Sequence, residues 1–203
     1  TIRSSGNDIL PNVYTSVLTI ILVPLYFANG KIRFKEKAVY GILIALFFIS
    51  FNNNYVNFFW HAFHFPNDLP FRYSYMYCFI LLVVAFKALE KINELRVQDI
   101  VLCGLFWVGM LAVASELPTE KLSETSIYVT AAFLVIYTGV LVVIKKNAIS
   151  KFVAGVLVAA MAFCEVVIAD PAAFGFNQKQ SGYIENYDTY REAVNYISEN
   201  DKS

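Results

Sequence analysis

Residues 126–144 read SIYVTAAFLVIYTGVLVVI, nineteen residues without a charge. A helix that crosses a bilayer needs about 20 mostly apolar residues. This stretch is apolar on nearly every side, whereas a surface helix keeps a polar face. Glu124 and Lys145 stand just beyond its ends. Five further stretches repeat the pattern: residues 12–29, 38–54, 73–90, 99–115 and 152–170. In lipid, each backbone group must be satisfied within the protein, which selects helices. Barrel strands would alternate over about ten residues, and these runs do not. The expected fold is therefore all-α: a polytopic membrane protein with about six transmembrane helices.

The composition agrees. Of 203 residues, 58% are hydrophobic and 16% charged, against about 45–50% and 25% in a soluble domain. This excludes a disordered chain, a coiled coil and a soluble globule. The formal net charge is zero, so nucleic acid is not an expected partner, while membrane lipids are. Cys78, Cys103 and Cys164 lie in apolar runs without CxxC spacing and read as buried free thiols. The sequence opens at Thr1, with no basic region and cleavage site ahead of the first apolar run. The expectation is a segment of a longer polypeptide.

The charges between the runs set an orientation. Lys31, Arg33, Lys35, Lys37, Lys87, Lys91, Arg96, Lys145, Lys146 and Lys151 lie at the turns after the first, third and fifth runs, against Arg3, Arg72 and Lys121 before the first run and after the second and fourth. Basic residues collect on the cytoplasmic side. Residues 1–11 are thus an extracytoplasmic lead-in, 12–170 the six-helix region, and 171–203 an extracytoplasmic tail. Both ends of the chain are thus expected to face outward from the cytoplasmic side. The tail opens as a loop with PAAFGFNQKQSG, and Thr189 and Glu192 have capping-box spacing before Val194 and Ile197. A short amphipathic helix is expected there.

The outer loop after the second run reads NNNYVNFFWHAFHFPNDLPFRYSY over residues 52–75. Its aromatics suit an interfacial belt, and its polar residues suit a re-entrant loop lining a cavity. Pro66 and Pro70 prevent a long helix. Both histidines of the chain, His61 and His64, lie here with Asn67, Asp68 and Arg72. The histidines with Asp68 supply at most three metal ligands at a weakly indicative spacing, and no metal is expected. Arg72 is the loop's only basic residue. Its guanidinium fits a phosphate bidentately, or it snorkels to lipid headgroups. Glu165 lies in the sixth run, five residues before Asp170, which places it roughly 7–8 Å deep. A carboxylate there should face the bundle or a cavity. Gly155, Ala159 and Ala162 form a small-residue face for close helix packing.

The stretch Trp60-His61-Ala62-Phe63-His64-Phe65-Pro66-Asn67-Asp68-Leu69-Pro70-Phe71-Arg72-Tyr73-Ser74-Tyr75 resembles the signature loop of the bacterial YfhO family, which runs approximately W-H-G-F-x-x-P-N-x-x-P-Y-R-Y-S-F. Ala62 stands where glycine is usual, and Phe71 where tyrosine is. Leu10-Pro11-Asn12-Val13-Tyr14 is similar to the family's L-P-N-I-Y entry to a helix, and Tyr183 to Asp201 resembles its exit from the membrane region. The resemblance implies a glycosyltransferase of the GT-C type, without a cofactor. Such an enzyme takes a sugar from an undecaprenyl-phosphate carrier to an envelope polymer such as teichoic acid. It also implies that the catalytic carboxylate lies upstream, with Asp8 a weak substitute.

On that reading Arg72 meets the phosphate, and His61, His64, Asn67, Asp68 and Glu165 complete the substrate-binding set. Two alternatives stand beside it. A transporter or flippase of the lipid-linked precursor needs interrupted helices and mid-membrane charges. A non-catalytic membrane scaffold needs neither.

Overall fold

The computed structural model describes residues 11–60, 62–63, 71–116, 124–174 and 187–200. All regular structure among them is helical. The helices are α1 (Val17–Ala28), α2 (Phe34–Asn52), α3 (Asn54–Trp60), α4 (Ser74–Glu90), α5 (Val97–Ser115), α6 (Glu124–Lys145), α7 (Lys151–Phe174) and α8 (Tyr187–Asn200), with a 3₁₀ turn at Ile92–Glu94. One helix lies on each of the six apolar runs. Val97–Ser115, Glu124–Lys145 and Lys151–Ile168 are long and apolar enough to cross a membrane, and Val17–Ala28 is a shorter apolar helix. α2 takes Lys35, Glu36 and Lys37 into its first turn, where Glu36 suits the positive end of the helix dipole. α7 runs on through Pro171 to Phe174.

Two compact units divide within α7, between Val166 and Val167. In the second, α8 carries Tyr190, Val194 and Ile197 on its surface. Thr189 stands inside its first turn rather than ahead of it.

In the first unit α1 is the most enclosed element. Ile21, Leu22, Leu25 and Tyr26 are fully buried, against α4, α5 and α6. The helix is continuous through Pro24. Phe48, Phe86, Leu102, Phe106, Val135 and Phe152 instead stand exposed. A soluble monomer rarely leaves so much apolar surface uncovered, and acyl chains are its natural cover. The cysteines are free, as expected, but Cys78 and Cys103 are half-buried and Cys164 is exposed. Thiols on a lipid-facing helix need no burial to avoid water.

Close packing falls elsewhere than expected. Gly155 and Ala159 are exposed, and a side chain at Gly155 would meet nothing within 4 Å. α7 faces the core with Ala154, Val158, Met161 and Glu165, a stripe one residue out of step with the glycine. The tight approach is between α5 and α6, where buried Gly104 lies against Thr138.

The basic turns are internally bonded. Lys37 Nζ donates to the Phe27 carbonyl at 2.7 Å, capping the end of α1. Lys87 and Glu36 join α4 to α2 at 2.8 Å. Lys145 Nζ donates to the Asn93 carbonyl. Asn147 closes α6 with φ 50°, a conformation asparagine tolerates.

Candidate functional site

At the opposite end of the unit, α2, α3 and the start of α4 meet in an aromatic cluster. Trp60 stacks on Phe47 at 5.2 Å and on Tyr73 at 5.1 Å. Its indole N–H donates to Ser50 Oγ at 3.0 Å, and Ser50 Oγ donates to the Leu46 carbonyl at 2.6 Å. The Tyr73 hydroxyl donates to the Ser50 carbonyl at 2.9 Å. Ser50 is fully buried, and one residue therefore ties three elements together. Its only mark in the sequence is a hydroxyl inside the run FFISF. Phe59 and Phe63 form an edge-to-face pair at 5.1 Å, and both are exposed.

Two bonds close α3: Ala62 N–H to the Phe59 carbonyl at 3.2 Å, and Phe63 N–H to the Phe58 carbonyl at 3.0 Å. This is the Schellman pattern, with its usual apolar contact supplied by Phe58 and Phe63, 5.9 Å apart. Ala62 takes the left-handed position with φ 53°. Glycine does so without strain, and an alanine there costs about 1 kcal/mol. The glycine of the resemblance motif thus has a backbone reason. Ala62→Gly is expected to stabilise the protein by about 1 kcal/mol, raising its melting temperature by about 2–4 °C. A melt of the variant in detergent that shows no gain would refute this.

Arg72 lies in the turn at residues 71–73 that leads into α4. Its neighbours hold the turn: Phe71 packs edge-on against Phe51 at 5.9 Å, and Tyr73 is buried. Arg72 itself is exposed and has no acidic partner among the described residues. Asp8, His61, His64, Asn67 and Asp68 lie outside the described residues.

An open, mostly apolar groove of about 760 Å³ begins two residues beyond Arg72. Ser74, Tyr75, Met76, Phe79 and Leu82 of α4 line it, with Asn12 and Tyr14 of the segment ahead of α1. Ser74 to Leu82 spans about 12 Å along the helix.

Glu165 is buried, with 2% of its surface exposed. Its Oε1 accepts from the Tyr14 hydroxyl at 2.5 Å and from the Val17 N–H at 2.7 Å. Its Oε2 accepts from Ser16 Oγ and from the Tyr137 hydroxyl, each at 2.7 Å. A carboxylate offers about four lone-pair sites, and four donors meet them. The Val17 N–H belongs to the first turn of α1, whose dipole favours an anion. Ser16 caps that turn through the Leu18 N–H at 3.2 Å while donating to Glu165. This explains why α1 begins at Val17 although the apolar run begins at residue 12. Ser16 has φ 89°, a region an L residue enters at a cost of about 1–3 kcal/mol. The expectation that Glu165 faces inward agrees with this placement, but sequence alone did not show its partners. Their trace in the sequence is faint, because Tyr137 is one of several hydroxyl side chains in a run that also holds Tyr128, Thr130 and Thr138.

The family model described as bacterial membrane protein YfhO matches residues 2–203. No curated protein and no solved structure matches the chain.

Proposed function

Because the chain belongs to the YfhO family of bacterial membrane proteins, we propose that it forms part of a membrane glycosyltransferase. The donor is a sugar on an undecaprenyl-phosphate carrier, and the acceptor is a hydroxyl of an envelope polymer such as teichoic acid. One observation carries the reading: an exposed arginine, without an acidic partner among the described residues, stands on an anchored turn two residues ahead of an apolar groove. A phosphate with an isoprenoid tail has that order of chemistry, anionic head first and apolar chain after.

In the reaction, the acceptor hydroxyl attacks the anomeric carbon and loses its proton to a carboxylate. The bond from that carbon to the phosphate oxygen breaks, and undecaprenyl phosphate leaves with the negative charge. Arg72 meets that charge as it develops. His61, His64, Asn67 and Asp68 are assigned to the sugar hydroxyls and the phosphate. The proton is assigned to a carboxylate outside this chain, with Asp8 the candidate within it. The test is transfer of radiolabel from undecaprenyl-phosphate glucose, galactose or N-acetylglucosamine to polymer, in membranes carrying the full-length protein. Transfer from none of the three, with intact folded protein present, would defeat the reading.

The alternative, a flippase for the lipid-linked precursor, draws on the late start of α1 beside a buried carboxylate, a feature of broken transporter helices. It predicts carrier translocation without sugar transfer.

Six crossings, by α1, α2 and α4 to α7, with both ends extracytoplasmic, belong to the same proposal. α1 spans about 18 Å of a hydrocarbon core of about 30 Å, and residues 11–16 complete its crossing. The support is the asymmetry of basic residues. Single cysteines at Lys121 and Lys35, in a background without the native thiols, report on it in intact cells. An impermeant maleimide should label position 121 and spare position 35. The reverse result would invert the topology.

A further inference from the structure

We infer that Glu165 is a positioning residue that acts through Tyr14, holding that ring as one wall of the groove and so setting how well the groove takes an isoprenoid chain. This rests on the reading that the groove receives the carrier's tail.

The carboxylate has no acceptor capacity left for a ligand. Both oxygens are doubly occupied by protein donors, and the group is buried. It can influence a ligand only through what it holds. Of its four donors, only Tyr14 lines the groove. Tyr137 is fully buried, and Ser16 and Val17 belong to the start of α1.

Tyr14 needs a tether. It lies ahead of α1 in a stretch without regular structure, and 54% of its surface is exposed. The Cys78 thiol reaches the nearby Asn12 carbonyl at 3.8 Å, a weak contact. The bond from the Tyr14 hydroxyl to Glu165 is short and crosses 151 residues of sequence. Without it the ring is free to change rotamer and to fill or widen the groove beside Tyr75, Met76 and Phe79.

A plain structural tie makes a different prediction. Tyr14 and Tyr137 give the same carboxylate the same kind of bond, so losing either hydroxyl would then have equal consequences. The positioning role separates them, because only one of the two rings touches the groove.

The experiment measures equilibrium binding of radiolabelled undecaprenyl phosphate to the full-length protein in detergent, together with thermal melts. Glu165→Gln places amide hydrogens among donors and releases Tyr14, while Tyr14→Phe removes only the hydroxyl. Each is expected to weaken binding about tenfold, and the double variant should be no weaker than either alone. Tyr137→Phe should lower the melting temperature and keep wild-type affinity. Equal affinities for Tyr14→Phe and Tyr137→Phe would overturn the positioning role and leave the carrier reading standing. If Glu165→Gln does not fold, the two tyrosine variants decide the question. If the wild type does not bind the probe, the carrier reading and this inference both fall.

Discussion

Arg72→Lys is expected to reduce sugar transfer almost as severely as Arg72→Ala, each by about a hundredfold, the usual scale for losing one transition-state charge contact. A guanidinium makes two parallel bonds to a phosphate, while an ammonium is a point charge on a flexible stem. Lysine therefore keeps the charge and loses the geometry. If Arg72 only snorkels to headgroups, lysine replaces it well, since either head reaches them. Phe71 and Tyr73 anchor the turn independently of Arg72, so both variants should fold. The measurement is polymer glycosylation in cells carrying each full-length variant at matched membrane abundance. Wild-type transfer by Arg72→Lys would end the phosphate role.

Gly104→Val should be the most damaging small change in the bundle. A Cβ at this position would lie 2.8 Å from Thr138 Cγ2 and 3.1 Å from Thr138 Cβ. Thr138 cannot move aside easily, because its hydroxyl is bonded to the Leu134 carbonyl at 2.7 Å and β-branched side chains are stiff. α5 and α6 must separate, and overpacking of this kind costs about 3 kcal/mol. The melting temperature should fall by about 10 °C. Gly109→Val on the same helix is the control, because a side chain there would meet nothing within 4 Å. Equal melting temperatures for the two variants would show that the α5–α6 approach carries no such constraint.

The two substitutions probe features of different legibility. Arg72 stands out as the one cation in a loop of aromatics and asparagines, and the motif around it carries the family. Gly104 has no motif around it, whereas Gly155 with Ala159 has the spacing of a packing face and is exposed. Ser50 and Tyr137 were equally quiet, each a hydroxyl in an apolar run.

Residue order alone shows that the chain is helical, that its helices lie on six apolar runs, and which family it belongs to. Apolar length and lipid's lack of hydrogen-bonding partners are enough for the first two. It also determined that Glu165 turns inward, because a lone carboxylate among acyl chains has neither partner nor water. The assembled helices are needed to see which way the other apolar helices face and what Glu165 holds. In a helix that is apolar on all sides, core and lipid accept the same side chains. In α7, Met161, Val158 and Ala154 stand four, seven and eleven residues before Glu165 and share its inward face, while Gly155 and Ala159, whose spacing suggests close packing, are exposed one residue round. Facing is set by close packing, as at Gly104, and by hydrogen bonds. The bonds that matter most here join Glu165 to Tyr14 and Ser16, 151 and 149 residues away, and become visible only when the helices are assembled.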